Sequence, residues 1–330
     1  MPHFWWVNHN QTARQEIDGQ YLWSPKTERN GARSEFYNNM RRASPGDLVL
    51  SYAGQVIRYV GRVAEFAFTA PKPAEFGSAG AYWNNEGWLL PVFWTPLNPA
   101  LRPRDMLEVL GPHLPEKYSP IHPISGAGNQ KAYLASISEE VFDTIVARAE
   151  FDRNMLTLGG SNSLTYQAIT EHLDDVAEQK ILSDVGLEAT IKESVIQARR
   201  GQGKFRANVE AIERSCRMTG VSNPSLLIAS HIKPWRLCQS TEERLDGMNG
   251  LMLTPDADLL FDRGFISFED DGEVLVSPRV DGDDLRRLGF QQLVWEHFGF
   301  SEAPATWRTR GFADPQYKYL AYHRSEIFVD

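Results

Sequence analysis

Cysteine is scarce in this chain. Cys216 and Cys238 are the only two in 330 residues, too few for a disulfide framework or a four-thiolate zinc site. Both are expected as free, reduced thiols, and no structural zinc is expected. No apolar run approaches membrane-spanning length, and the opening residues lack the basic-then-apolar pattern of a secretory signal. A soluble, cytoplasmic (bacterial) protein without a membrane partner follows as an expectation. Internal repeats and low-complexity tracts are absent too, which argues against a solenoid or a disordered tether. What remains is 42% apolar content over 330 residues, enough for two packed cores.

The net charge of −9 argues against a uniformly basic nucleic-acid coat, but the charge is unevenly spread. Residues 192–236 hold nine Lys/Arg against three Glu, a local +6, whereas 139–189 holds eleven acids against three bases, a local −8. The basic strip contains Arg199, Arg200, Lys204 and Arg206 around two glycines, a composition suited to close approach of backbone to phosphate.

The chemistry concentrates after residue 225. Ser225 to Ile232 reads as a strand ending near His231, stopped by Pro234. Gly250 to Leu253 is a second short strand, and Thr254-Pro255-Asp256 starts a helix with Pro at its first position. On that helix Asp258 and Asp262 share a face. Hydrolysing a phosphodiester needs a base for water and a cation for the developing charge. His231 is the natural base, and Asp258, with Asn249 or Asp262, offers the hard oxygen donors that Mg²⁺ or Mn²⁺ prefers. Each residue alone has a structural explanation; the order and spacing together point to catalysis.

These motifs, Ala229-Ser230-His231-Ile232-Lys233-Pro234-Trp235, Glu243-Arg244-Leu245-Asp246, Asn249-Gly250-Leu251-Met252-Leu253 and Asp258 through Phe268, resemble the HNH (ββα-metal) endonuclease family. The resemblance covers about the last 140 residues, from Ala198-Arg199-Arg200-Gly201 to Tyr322-His323-Arg324. It implies that His231 is the general base, that Asn249 holds the loop or contributes to the metal, and that Asp258 replaces a metal-binding histidine. Ser230 stands where some relatives carry an aspartate or histidine ligand, so it joins Asp258, Asn249 and Asp262 as a candidate metal contact.

Residues 1–138 read as strand-rich, with runs at Phe4 to Val7, Asp47 to Tyr52, Val56 to Val63 and Trp88 to Phe93, and a helix within Ala32 to Arg42. Aromatic residues cluster near its turns, as a sandwich for an extruded base would require. Phe4-Trp5-Trp6-Val7-Asn8-His9-Asn10, Leu22-Trp23-Ser24, Gly46 to Tyr52 and Val60 to Val63 resemble the EVE/YTH group of PUA-like domains, small barrels that bind modified bases. By that resemblance Trp23 and Ser24 supply one cage wall and a polar contact, Asn10 reads the base edge, and Tyr82 or Trp83 closes the opposite wall. A Gly-rich loop with Asn129 and Lys131 has the composition to follow the DNA backbone or fill the gap left by an extruded base, and equally that of an ordinary surface loop.

The expected architecture is α+β: a PUA-like small β-barrel with flanking helices (1–138), a helical connector with a flexible joint at 159–163 (139–190), and an HNH ββα-metal domain (191–330). The expected function is a type IV-like, modification-dependent restriction endonuclease. It would act on double-stranded DNA carrying 5-methyl- or 5-hydroxymethylcytosine, with a divalent metal and as a homodimer at least on DNA. A non-cleaving reader of modified nucleic acid, and a repair or structure-selective nuclease, are the alternatives.

Overall fold

The computed structural model describes residues 2–329 apart from 130, 154, 159–165, 292 and 294–307, so the joint expected at 159–163 lies outside the described residues. The chain divides into two compact units, Met1–Thr170 and Glu171–Asp330, and the architecture is mixed α+β.

The first unit is built on a curled, half-barrel sheet of seven strands. These are β1 (Phe4–Asn8), β2 (Tyr21–Pro25), β3 (Leu48–Ala53), β4 (Val56–Val63), β5 (Phe68–Pro71), β6 (Glu86–Leu101) and β7 (Leu134–Ile137). Their order is β2-β6-β4-β3-β1-β7, with β5 also paired to β6. β1 runs parallel to β3 and antiparallel to β7. Helices α1 (Ala13–Gly19), α2 (Glu35–Arg42), α3 (Leu107–Leu110), α4 (Glu139–Arg148) and α5 (Met155–Leu158) complete the unit.

Alternation along β1 explains why both faces are covered. Phe4 and Trp6 enter one core with Leu50, Ile57 and the α4 residues Phe142 and Ile145; Trp5 and Val7 enter the other with Leu22, Val49, Leu90 and Trp94. Both tryptophans of the opening strand are thus packing residues. Helix α4 opens the segment expected to be a connector, yet its apolar face belongs to the first core. Asp47, buried at the end of the Ser44-Pro45-Gly46 turn, accepts from the His3 and Ser44 amides and the Trp5 indole and ties that turn to β1.

β6 is far longer than the Trp88–Phe93 run read from sequence. Its first half pairs with β2 and β5, and its second half with β4. Pro91 and Pro96, which ordinarily argue against strand interior, masked this continuity.

Helix α6 (Tyr166–Ser183) runs across the boundary into the second unit, where α7 (Ala189–Arg199) and α8 (Gly203–Ile212) precede β8 (Ile228–His231). Then come α9 (Thr241–Leu245), β9 (Gly250–Leu253), α10 (Pro255–Asp262), the hairpin β10 (Ile266–Phe268) and β11 (Val274–Val276), α11 (Gly282–Arg287) and a C-terminal helix, Asp314–Glu326. β8 and β9 are antiparallel, with His231 opposite Gly250, and α10 follows directly, which gives a ββα unit.

The polar ties that hold the C-terminal helix to this unit include two buried ones. Buried Glu213 accepts from Arg217, Arg310 and Gln316, with the Arg217 guanidinium lying 3.7 Å from the centre of the Phe312 ring. His323 is fully buried and stacks on Phe261, its Nε2–H donating to the Phe261 carbonyl while Nδ1 accepts from the Ser267 hydroxyl. Burial pushes this imidazole down to about 3 from an ordinary 6.5. Between those values the unfolded chain binds a proton that the folded chain excludes, so stability grows with pH there and is lost as pH falls below about 6.5. Denaturant unfolding of the second unit should show a lower midpoint at pH 5 than at pH 7.5, by up to about 2 kcal/mol from this group. His323→Gln should narrow that difference; an unchanged difference would remove His323 as its source.

Candidate functional site

The ββα unit sets His231 at the end of β8. Its ring stacks on Phe205 of α8, with 3.7 Å between centroids and 4° between planes. Nε2 lies 3.0 Å from the Arg244 carbonyl. A carbonyl can only accept, so Nε2 carries the proton and Nδ1 keeps its lone pair. Burial drives this imidazole down to about 4, partly opposed by the bond to Arg244, so the ring is neutral at physiological pH. A neutral imidazole with one tautomer imposed is the state a general base requires.

The loop that presents the Arg244 carbonyl is organised by the second predicted residue, Asn249. Its side chain is fully buried: Oδ1 accepts from the Lys233 amide at 2.8 Å, and Nδ2 donates to the carbonyls of Lys233 and Glu243 and to the Cys238 sulfur. Of the two roles expected for Asn249, loop-holding has this geometry behind it, and its place in the interior turns no face toward a solvated cation. The Glu243 to Asp246 motif belongs to the same scaffold. Glu243 pairs with Lys233 at 2.9 Å, and Asp246 accepts from the Met248 amide and the Tyr319 hydroxyl. Cys238 is buried beneath it, its thiol pushed up to about 12 by burial, and Cys216 is buried as well.

Asp258 lies on α10, one turn before Asp262. Burial raises its carboxyl to about 6; a hydrogen bond with Ser230 works against that rise and the Asp262 charge adds to it. The structure thus brings Ser230, Asp258 and Asp262 to one neighbourhood, while the described contacts of His231 run to Phe205 and Arg244. Among the described residues no group of three or more His, Cys, Asp or Glu forms a metal cage. The donors at hand, a poorly solvated carboxylate beside a hydroxyl, are all hard oxygens. They fit a cation such as Mg²⁺, which keeps much of its water and takes one or two carboxylates.

The basic strip divides. Arg199 is engaged with Asp174, Asp175 and Glu178 of α6, and Arg206 with the Leu227 and Pro224 carbonyls and Glu210. Both were read from sequence as DNA contacts, and both are structural ties here: Arg199 because acidic α6 folds back onto it, and Arg206 because the chain before β8 presents two carbonyls to it. Arg200 and Lys204 are exposed and make no ion pair among the described residues. Gly201, at φ +62°, sits where a Cβ would come within 2.6 Å of the Ala229 carbonyl, so only glycine lets this loop lie against β8.

In the first unit a cavity of about 540 Å³ opens beside the end of β1. Asn10, Tyr82, Trp83, Asn129 and Lys131, all named from sequence, line it. Asn10 Oδ1 accepts from the Gly54 amide, and its Nδ2 group has no partner among the described residues. Trp83 is half-buried and Tyr82 is 63% exposed. Trp23 and Ser24 require correction. Trp23 is 1% exposed with its indole donating to the Ala70 carbonyl, and it lies behind Trp83 with 6.1 Å between ring centroids. Ser24 is fully buried, and its hydroxyl has no partner among the described residues. Both point into the sheet's packing rather than the cavity, so Trp23 supports a wall that Trp83 provides.

Sequence reasoning missed Tyr37 and Tyr133, whose rings meet edge to face at the cavity, and the polar base beneath them. Glu16 there is fully buried; one oxygen accepts from the Tyr133 hydroxyl (2.6 Å) and the Trp23 amide (3.1 Å), the other meets His9 Nδ1 at 2.6 Å. His9 Nε2 reaches the Ser51 hydroxyl. The signal available was a carboxylate on a short helix directly after Asn8-His9-Asn10, in a segment otherwise bound for the interior.

Comparison with known proteins adds the following. Residues 216–269 match the HNH endonuclease family model. That stretch runs from Cys216 through β8, β9 and α10 to the end of β10, so it contains His231, Asn249 and Asp258. No curated protein matches the chain. Solved structures similar to it include a hypothetical protein from Leishmania major, at 13% identity and TM-score 0.33, covering 46% of this chain and 96% of that one. Another is human THYN1 protein in complex with 5-methylcytosine containing DNA, at 12% identity and TM-score 0.30, covering 46% and 99%. A third is Rpa0253 from Rhodopseudomonas palustris, at 9% identity and TM-score 0.30, covering 49% and 99%.

Glu16→Ala strands three buried donors and should destabilise the first unit by about 3–5 kcal/mol. Tyr133→Phe, which removes one hydroxyl, should cost about 1 kcal/mol. Denaturant titration reads both; equal, small losses would show that the network carries little.

Proposed function

We propose that the chain is a modification-dependent DNA endonuclease: the first unit takes a modified cytosine, 5-methyl- or 5-hydroxymethylcytosine, extruded from duplex DNA, and the second hydrolyses a nearby phosphodiester. The observation that carries the proposal is the neutral, single-tautomer imidazole of His231 within an HNH-matching ββα unit. The reader half is supported by the aromatic-lined cavity with amide groups at its rim, which suits stacking on a flat base and hydrogen bonding to its edge.

His231 Nδ1 takes a proton from water, and the resulting hydroxide attacks phosphorus in line with the 3′ oxygen. The P–O3′ bond breaks, the 3′ oxygen gains a proton from solvent, and a 5′-phosphate remains. Asp258, with Ser230 beside it and Asp262 one turn on, would hold the divalent cation, Mg²⁺ or Mn²⁺, which when bound neutralises charge on the phosphorane and leaving oxygen. Arg200, beside the glycine fixed against β8, and Lys204, in the first turn of α8, supply phosphate contacts. One ββα unit cuts one strand, so double-strand cleavage implies a homodimer on DNA. Restriction of foreign modified DNA in a bacterial cytoplasm is the setting this chemistry fits.

Nicking of a cytosine-methylated plasmid with Mg²⁺ or Mn²⁺, compared with an unmethylated plasmid and with EDTA, tests the reading. Cutting confined to methylated DNA with metal is expected; equal cutting of both plasmids would make it a nuclease indifferent to modification. His231→Ala should slow nicking by about 10²- to 10⁴-fold with DNA affinity unchanged. With the imidazole at about 4, activity should not fall from its protonation until pH drops below about 5. Replacing both Arg200 and Lys204 with Gln should weaken binding to all sequences and reduce the slope of log K against log salt by about 2. A slope left unchanged would remove them from the DNA interface.

A further inference from the structure

We propose that Ile124 is an apolar wedge that enters the base stack of duplex DNA whose extruded base occupies the cavity of the first unit. The inference rests on the modified-base reading above and assigns a residue that reading does not use. Ile124 is 83% exposed, whereas Ile121 three residues earlier is fully buried. An aliphatic side chain this open stands at the tip of a loop whose downstream arm, Gly128 and Asn129, lines the cavity.

The loop is rigid by construction. Ile121 and Gly128 bridge its base, the His122 amide donates to the Ala127 carbonyl and the Gly126 amide to the His122 carbonyl, each at 2.8 Å. The Ile124 and Ser125 amides both point at His122 Nδ1, at 3.2 Å, so the tip's own backbone is held from beneath. Gly126, at φ +68°, packs where a Cβ would meet the Arg104 backbone at 3.1 Å, so the loop is braced from outside as well. At the other end Asn129 donates to the Ser119 carbonyl and Asn8 to the Pro120 carbonyl, which joins the loop to the strand end that opens the cavity. A tip so fixed loses little conformational freedom on binding.

Reach agrees with the role. Gly128 is four Cα-to-Cα steps on from Ile124, so the tip lies no more than about 14 Å from the cavity wall. DNA grooves are about 7–9 Å deep, so one body can hold an extruded base in the cavity and fill the vacated step from the groove. A one-base gap in a strand is about 3.4 Å high, a slot an aliphatic side chain fills, and isoleucine is among the residues that wedge between base steps.

The test is fluorescence anisotropy of the full chain in EDTA, on a duplex with one central 5-methylcytosine and on the same methylated strand alone. Ile124→Ser should bind the duplex roughly 10- to 100-fold more weakly and the single strand as well as wild type, because a single strand has no stack to fill. Ile124→Leu should restore duplex binding. Unchanged duplex affinity, or an equal loss on both probes, would overturn the wedge. Wild-type preference for the methylated over the unmethylated duplex is scored separately. Its absence overturns the modified-base reading, while the duplex-to-single-strand ratio of the variants still decides the role of Ile124.

Discussion

One buried primary amide organises the second unit's chemistry. Asn249 leaves β9's edge and binds both backbone groups of Lys233 and the carbonyl of Glu243, which closes the loop between the strands. The closed loop turns the next carbonyl, that of Arg244, onto His231. That carbonyl dictates which ring nitrogen holds the proton, and Phe205 flattens the ring from the other side. An unsatisfied amide or carbonyl at this depth would cost on the order of 1–3 kcal/mol each, so loop, tautomer and ring plane stand or fall together.

The same hydrogen-bonding economy recurs at His323, with a stacked phenylalanine, a carbonyl acceptor for Nε2–H and a lowered basicity. Basicity alone therefore does not separate a base from a staple. The two differ in position: His231 ends a strand and is half-buried, whereas His323 is enclosed between the C-terminal helix, α10 and β10.

Much of this was legible in the sequence where local pattern and burial agree. β4 and β9 sit where their apolar runs placed them, and Thr254-Pro255 begins α10. The mixed α+β class followed from strand runs before residue 138 and helical composition after it. Short strands without alternation, β2, β5 and β7, were silent because their pairing partner, not their own composition, makes them strands. The site was legible to the extent that chemistry is fixed by residue type: Asn10, Tyr82 and Trp83 do meet at one cavity. Exposure was not legible. Trp23 and Trp83 are equally aromatic in a string of letters, and only the sheet decides that one backs the other. Likewise Arg199 reads as a free cation until α6 lays three carboxylates on it.

β1 sits between β3 and β7, so this strand receives its last neighbour some 130 residues after it is synthesised. Until Leu134 to Ile137 have left the ribosome, Phe4, Trp5 and Trp6 form an apolar strand with one open edge, the kind of surface that other chains pair with. Closure of the sheet is a late, long-range event in this protein's birth, and an early stop codon or a stalled translation complex would release a sticky fragment rather than a smaller folded unit.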